Sequence, residues 1–381
     1  MDYTAHNEQV KEVWESYHHG TPIRTPMILG VNIRCFFTDP SANTEGMDFE
    51  RYSNDPAIMF DYQLRFQEWL KLTLPQDAEM GYPQKGWSIG VDLQNYYEAA
   101  WLGCELHYHK GQVPDTEPML DGDKKYRLFD KGIPGPFDGL MQKNLHYYES
   151  FQKIADGYLW RGLPVKNISP SGLGTDGPLT VATSLRGSEL YTDFYEDPDY
   201  VKELLNLITE AVIMRIKAWR RYLGRPEKSP AFGFADDSIQ LISEKTYREF
   251  VLPCHRRLVE ELGQGERGSI HLCGDATRHF KNIRNELNVY SFDTGFPVDF
   301  AALRAELGPE VEILGGPQVE FLRRATPDQV REEVLRILDS GIREGGKFIL
   351  REGNNLAPGT PLENIQMMYD TVCRVTETGL C

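Results

Sequence analysis

The chain has 381 residues, 40% of them hydrophobic, enough for one large domain or two ordinary ones around a sizeable core. Fifty-seven Asp and Glu against 41 Lys and Arg give a formal charge of −16, which argues against any role that tracks nucleic-acid phosphates or anionic membranes. The six cysteines (35, 104, 254, 273, 373 and 381) are far apart and include no C-x-x-C pair, so reduced thiols in a cytoplasmic setting are expected; no apolar signal segment opens the sequence and no run reaches membrane-spanning length.

Residues 5–18 carry apolar groups at helical spacing (Val10, Val13, Trp14, Tyr17). Pro26–Val31 reads as a first buried strand, and 56–72 as a helix with Ile58, Met59, Tyr62, Phe66, Trp69 and Leu70 on one face. The stretch 101–146, rich in Gly, Pro, Asp and aromatic residues, reads as an insertion capping an active-site mouth. Trp87, Tyr96, Tyr97, Trp101 and Tyr108 are expected mainly to fill that cap, with Trp87 also a candidate to line a substrate pocket. After residue 160 short apolar runs alternate with amphipathic ones. Strands are expected at 165–169, 231–235, 269–272, 289–292, 311–314 and 348–350. Helices are expected at 197–222, 243–262, 276–287, 300–307, 327–343 and 361–376. Such repetition means parallel βα units, and their number favours an α/β fold of the closed (β/α)₈ TIM-like kind: one domain over 1–381, with an N-terminal extension and the cap at 101–146. Neither a G-x-G-x-x-G after a strand nor a P-loop is present.

In a barrel of this kind chemistry belongs at the C-terminal ends of the strands. Those positions hold Asn32 and Arg34, Asp92, Ser169 and Ser171, Asp236 and Asp237, His271 and Cys273, Asp293, Gln318, and Glu352 with Asn354 and Asn355. His271 and Cys273 are two apart at a strand end, so their side chains point the same way, one imidazole and one thiol toward a single ion. Asp293 and Glu352 are the acidic candidates for a further ligand. Asp92, Asp237 and Glu352 are candidate catalytic acids or bases. Asn32, Arg34, Trp87, Ser171, Asp236, Gln318 and Asn354 are candidates to shape a substrate pocket, with Arg34 positioned to recognise an anionic group. Each has a plainer reading: Asp236 and Asp237 as a capping or ion-paired couple, Arg34 as the partner of a carboxylate.

Several segments together resemble the uroporphyrinogen decarboxylase superfamily, which includes corrinoid-linked, zinc-dependent methyltransferases. Gly177-Pro178-Leu179-Thr180-Val181-Ala182 is similar to its G-P-[FL]-T-x-A segment, and Leu241-Ile242-Ser243 with Phe250-Val251-Leu252-Pro253 to its L-I-S…F-V-L-P helix. His271-Leu272-Cys273-Gly274 is similar to the H-x-C-G zinc element of the methyltransferase branch, and residues 355–364 to the P-x-T-P-x-E-N signature. The resemblance implies a TIM-like barrel, zinc held by His271 and Cys273, and a small methyl donor or acceptor. It also implies a corrinoid protein as partner and a monomer or homodimer. Asp92 falls where the decarboxylase branch places its catalytic Asp. That branch's R-Q-A-G-R pattern is matched at most by Arg34, and the methyltransferase branch's third Cys is replaced in Arg351-Glu352-Gly353-Asn354. A metal-free decarboxylase of a small acid and a non-catalytic ligand-binding barrel are the alternatives.

Overall fold

The computed structural model describes residues 2–376 and 379–380. Seven strands follow one another in parallel: β1 (Trp87–Gly90), β2 (Leu163–Ser169), β3 (Gly233–Ala235), β4 (Gly268–His271), β5 (Val289–Asp293), β6 (Glu312–Gly315) and β7 (Phe348–Leu350). β1 pairs with β2, and β3 to β7 form a second arc in sequence order. Met27 bridges Leu350 in parallel, so the first segment extends this arc past β7. The order is that of a (β/α)₈ barrel, its strands read as short apolar runs because helices cover them.

Other groups satisfy the free edges of the second arc. Beside Met27, the Asp77 amide donates to the Met27 carbonyl (2.7 Å), while Asp77 Oδ2 accepts from Met27 N (2.7 Å) and Gln76 Oε1 from Leu29 N (3.0 Å). Side chains thus complete a ladder that strand pairing leaves open. Between β2 and β3, Ala235 N donates to the Thr175 carbonyl (3.2 Å). The strand expected over Pro26–Val31 is therefore reduced to a single bridge. β1 escapes sequence reading because Trp-Ser-Ile-Gly is short and ends in glycine.

The helices form where apolar spacing and caps coincide. The helix Pro198–Tyr222 has Pro at its first turn and the Asp197 carboxylate accepting from Tyr200 N, and buries a continuous stripe from Tyr200 to Trp219. Pro327–Ile337 starts with a reciprocal Thr326–Gln329 capping box. The N-terminal helix Tyr3–His18 buries Val10, Val13 and Tyr17, and Trp14 Nε1 donates to the Asp77 carbonyl (2.7 Å). Residues 101–146 hold a two-stranded hairpin (Leu106–His107 with Asp115–Thr116), a short helix (Arg127–Lys131) and the start of the helix Leu140–Ala155. Trp87 sits at the N-terminal start of β1, fully buried, its indole N–H on the Trp160 carbonyl (2.9 Å). It is a core residue at the end of the strand away from the mouth, a correction to its place among pocket candidates. Among the described residues the cysteines are free and no helix is long and apolar enough to cross a membrane; Cys381 lies outside them.

Asp77 ties this frame together. Its carboxylate takes both guanidinium arms of buried Arg24 (2.6 and 2.7 Å), the Met27 amide, and the Tyr369 hydroxyl (3.2 Å). Asp77→Ala leaves a buried guanidinium uncompensated and is expected to cost about 3–5 kcal/mol, read by urea unfolding. A loss below about 1 kcal/mol would contradict this account.

Candidate metal centre

β4 ends in His271, whose register partner on β5 is Asp293 and on β3 is Ala235. Past the strand end, Cys273 turns its sulfur back to 3.4 Å from His271 Nε2. Two tetrahedral ligands of one zinc ion, at about 2.0 Å (N) and 2.3 Å (S), stand about 3.5 Å apart. The turn favours Gly274, which holds a φ of +67°. The third member is Asp237, which opens the short helical turn Asp237–Leu241 after β3 and accepts the Cys273 amide on Oδ1 (2.7 Å). One ligand atom from each of Asp237, His271 and Cys273 lies within 4.8 Å of the others.

Asp293 and Glu352, expected as further ligands, occupy supporting positions instead. Asp293 Oδ2 accepts from His271 Nδ1 (2.6 Å), which leaves the Nε2 lone pair facing Cys273. A carboxylate behind an imidazole is the usual way to orient a metal-binding histidine. The same oxygen takes Arg351 Nη1 (2.5 Å), and Arg351 Nη2 reaches Glu352 Oε1 (2.9 Å), which also accepts from Gly30 N (2.9 Å). Asp293 Oδ1 and Glu352 Oε2 are buried without a hydrogen-bond partner. Asp237, expected as a catalytic acid or base, has the carboxylate that joins the ligand cluster.

The electrostatics follow from burial and this crowd of acids. Burial pushes the Cys273 thiol well up, and the neighbouring charges of Asp237 and Asp293 push it further. Burial alone would lower His271, but the hydrogen bond and charge of Asp293 outweigh it and raise the imidazole. Burial raises Glu352 to about 7 against the opposing pull of Arg351. A site that disfavours its own thiolate through burial and neighbouring carboxylates, while aiming N, S and O donors at one point, fits a divalent cation of zinc's type.

The other expected residues divide. Asn354 belongs to the centre: its Oδ1 accepts from the Cys273 thiol (3.2 Å) and from Asn355 N (2.8 Å). Asn32 caps the helix Ile33–Thr38 and donates to Gln94 Oε1 (2.9 Å); the Gln94 amide in turn holds the Asp92 carboxylate (2.6 Å to each oxygen), joined by Tyr52 Oη (3.0 Å). Burial raises the Asp92 carboxyl. Arg34 has no ion-pair partner among the described residues, and its Nε is buried without an acceptor. Ser171 is held through its backbone by Asn144 (2.8 and 3.0 Å), and Gln318 is exposed at the start of the helix Val319–Arg324. Asp236 is corrected from pocket residue to buried anchor: it has no exposed surface and its oxygens take Leu179 N, Thr180 N, Thr180 Oγ1 and His255 Nε2. Sequence reading misses Asp176, whose carboxyl is raised well above its ordinary value by burial, Glu98 and Asp237. It also misses Arg351, the cation of the centre. Asp176 stands just before the Gly-Pro-Leu-Thr segment, a position that could have flagged it.

Comparison with known proteins sets this geometry among relatives. The sequence profile of the uroporphyrinogen decarboxylase (URO-D) family matches residues 92–375. A methylated-thiol–coenzyme M methyltransferase of Methanosarcina mazei is 30% identical over 290 residues, 73% of this chain and 70% of that protein. A uroporphyrinogen decarboxylase of Xanthomonas campestris pv. campestris is 25% identical over 288 residues, 71% of this chain and 75% of that one. A solved methyltransferase from Methanosarcina mazei superposes with a TM-score of 0.66 at 16% identity, covering 96% of this chain and 98% of the other, which shows the shared fold.

Purified protein is expected to hold about one transition-metal ion per chain by elemental analysis. Cys273→Ala or Asp237→Ala should abolish retention, whereas Asp293→Asn, which loosens the imidazole without removing a ligand, should weaken affinity roughly 10–100-fold. Equal retention by all three variants would contradict this assignment of roles.

Proposed function

The chain belongs to the uroporphyrinogen decarboxylase (URO-D) family, and from that premise we propose that it is a zinc-dependent methyltransferase. It would move a methyl group between a small methylated substrate or thiol and a corrinoid carried by a partner protein. The observation that carries this reading is the N, S, O donor set of His271, Cys273 and Asp237, with Asp293 behind the imidazole. The 30% identity to a methylated-thiol–coenzyme M methyltransferase supports it. On this reading the whole chain acts as one barrel domain, with 101–146 as its cap, in the cytoplasm.

His271, Cys273 and Asp237 would hold the zinc. When bound there, the ion supplies Lewis acidity that lowers the pKa of a thiol or draws density from a methoxyl oxygen. The protein's own groups divide the remaining work. Asp293 keeps the imidazole in the tautomer that presents Nε2. Arg351, spanning Asp293 and Glu352, fixes both carboxylates. In the demethylating direction the substrate's sulfur or oxygen keeps the electron pair of its bond to the methyl group and takes up a proton. Asp92, raised by burial, is the group proposed to hold it; Glu352, with no exposed surface, stays fixed beside Arg351. Arg34, with no internal counter-ion, would orient an anionic end of the substrate. Asn32, Ser171, Gln318 and Asn354 would complete the pocket.

The test is methylation of free cob(I)alamin by methylated thiols and methoxylated acids, followed by the visible spectrum of the methylated corrinoid. Turnover is expected in the metal-loaded protein and loss of more than about 100-fold with a chelator or with Cys273→Ala, beyond what a supporting residue costs. Carbon dioxide release that survives both treatments would instead mark a metal-free decarboxylase. Binding without any turnover would mark a ligand-binding barrel.

Arg34→Ala should raise KM about 10–100-fold for anionic substrates with little change in kcat, the signature of a lost charge-assisted contact that binds ground and transition states alike. An unchanged KM would remove Arg34 from the pocket.

A further inference from the structure

Directly behind Asp237 lies a hydrogen-bonded chain with no exposed surface at its core. Tyr247 Oη pairs with His255 Nδ1 (3.2 Å), and His255 Nε2 pairs with Asp236 Oδ2 (2.8 Å). Tyr247, His255 and Asp236 are each fully buried. Asp236 Oδ1 accepts from both the amide and the hydroxyl of Thr180 (2.8 Å each), and Oδ2 also accepts from Leu179 N (3.1 Å). The Thr180 hydroxyl closes the circuit by accepting from Ser238 N (2.9 Å). Asp237 therefore sits between two residues that are both tied to one hydroxyl.

The order Tyr–His–Asp is that of a proton relay, but its surroundings exclude that use. No substrate can reach groups with no exposed surface, and four donors already occupy the Asp236 oxygens. What the chain does determine is where the Asp237 turn stands relative to the helix Pro178–Arg186. The contact is close: Gly177, at φ +94°, has no room for a Cβ against the Ala235 carbonyl and Asp236. The π turn Tyr247–Val251 serves the same end. Eight residues along a regular α-helix are turned about 80° from one another, and absorbing one extra residue brings Tyr247 and His255 to within about 20°. Pro253, which has no N–H to donate, follows this turn.

We propose that Thr180, Asp236, His255 and Tyr247 are positioning residues for Asp237, clamping its turn so that its carboxylate meets His271 and Cys273 around one divalent ion. The proposal rests on the reading of Asp237 as a metal-holding group. It gives the Gly-Pro-Leu-Thr segment and the helix Leu252–Leu262 a shared role, since both bind the Asp236 carboxylate.

Thr180→Val keeps the shape of the side chain and removes the hydroxyl that joins Asp236 to Ser238; Thr180→Ser keeps the hydroxyl. Zn²⁺ affinity is measured by competition with a chelating dye, alongside the Tm of the metal-free proteins. Thr180→Val is expected to bind Zn²⁺ about 10–100-fold more weakly, whatever its metal-free Tm, with Thr180→Ser restoring wild-type affinity. A merely structural threonine would move the Tm and leave affinity alone, and that result overturns the proposal. Should Thr180→Val fail to fold, His255→Gln carries the same expectation, and wild-type affinity in that variant overturns it. Absence of Zn²⁺ binding by the wild-type protein removes the reading of the site itself, and this proposal with it.

Discussion

Negative charge that the protein does not neutralise from within governs the mouth of this barrel. Asp237 and Asp293 stand beside one imidazole and one thiol, and Arg351 is already shared between Asp293 and Glu352. Asp237 has no ion-pair partner among the described residues, and two carboxylate oxygens of the centre are buried without a hydrogen bond. A cation held with His271 and Cys273 would supply the partner that Asp237 lacks. The parallel register of β3, β4 and β5 matters because it brings these acids to a common level.

That arrangement explains how much can be read from residues alone. His271 and Cys273 are legible as a pair two apart at a strand end, but their 3.4 Å contact comes from the turn past the strand that brings the sulfur back to Nε2. The βα rhythm after residue 160 is legible as well: a buried parallel strand has only a few apolar residues and must be followed by a covering helix. Which acid sits beside the sulfur and which behind the imidazole is not legible. Asp237, Asp293 and Glu352 all stand at strand ends, and only register and rotamer separate an oxygen facing sulfur from one facing Nδ1. Asp236 and Asp237 are neighbours in sequence, yet one faces the centre and the other is sealed behind it. Trp87 shows the opposite error, since an aromatic residue on an undetected strand carries no mark of which end it occupies.

The same frame serves relatives with different chemistry, a thiol methyltransferase and a porphyrinogen decarboxylase among them. The segments that make the resemblance visible lie largely behind the centre. Gly177 to Thr180 pack on the end of β3, and the helix carrying Phe250 to Pro253 supports Asp236 through His255. Asp237 and Asp293, beside the centre, lie outside those segments. A shared scaffold can host several chemistries when function resides in a few grafted groups.

Asn354 holds a backbone φ of +125°, a conformation that glycine adopts freely and side-chain-bearing residues resist at a cost of about 1–3 kcal/mol. Its neighbour in the chain, Gly353, shows that glycine is tolerated in this loop. The loop thus holds an amide oxygen on Cys273 at the expense of local comfort, and stability-guided redesign, which would choose glycine there first, would strip the thiol of its partner.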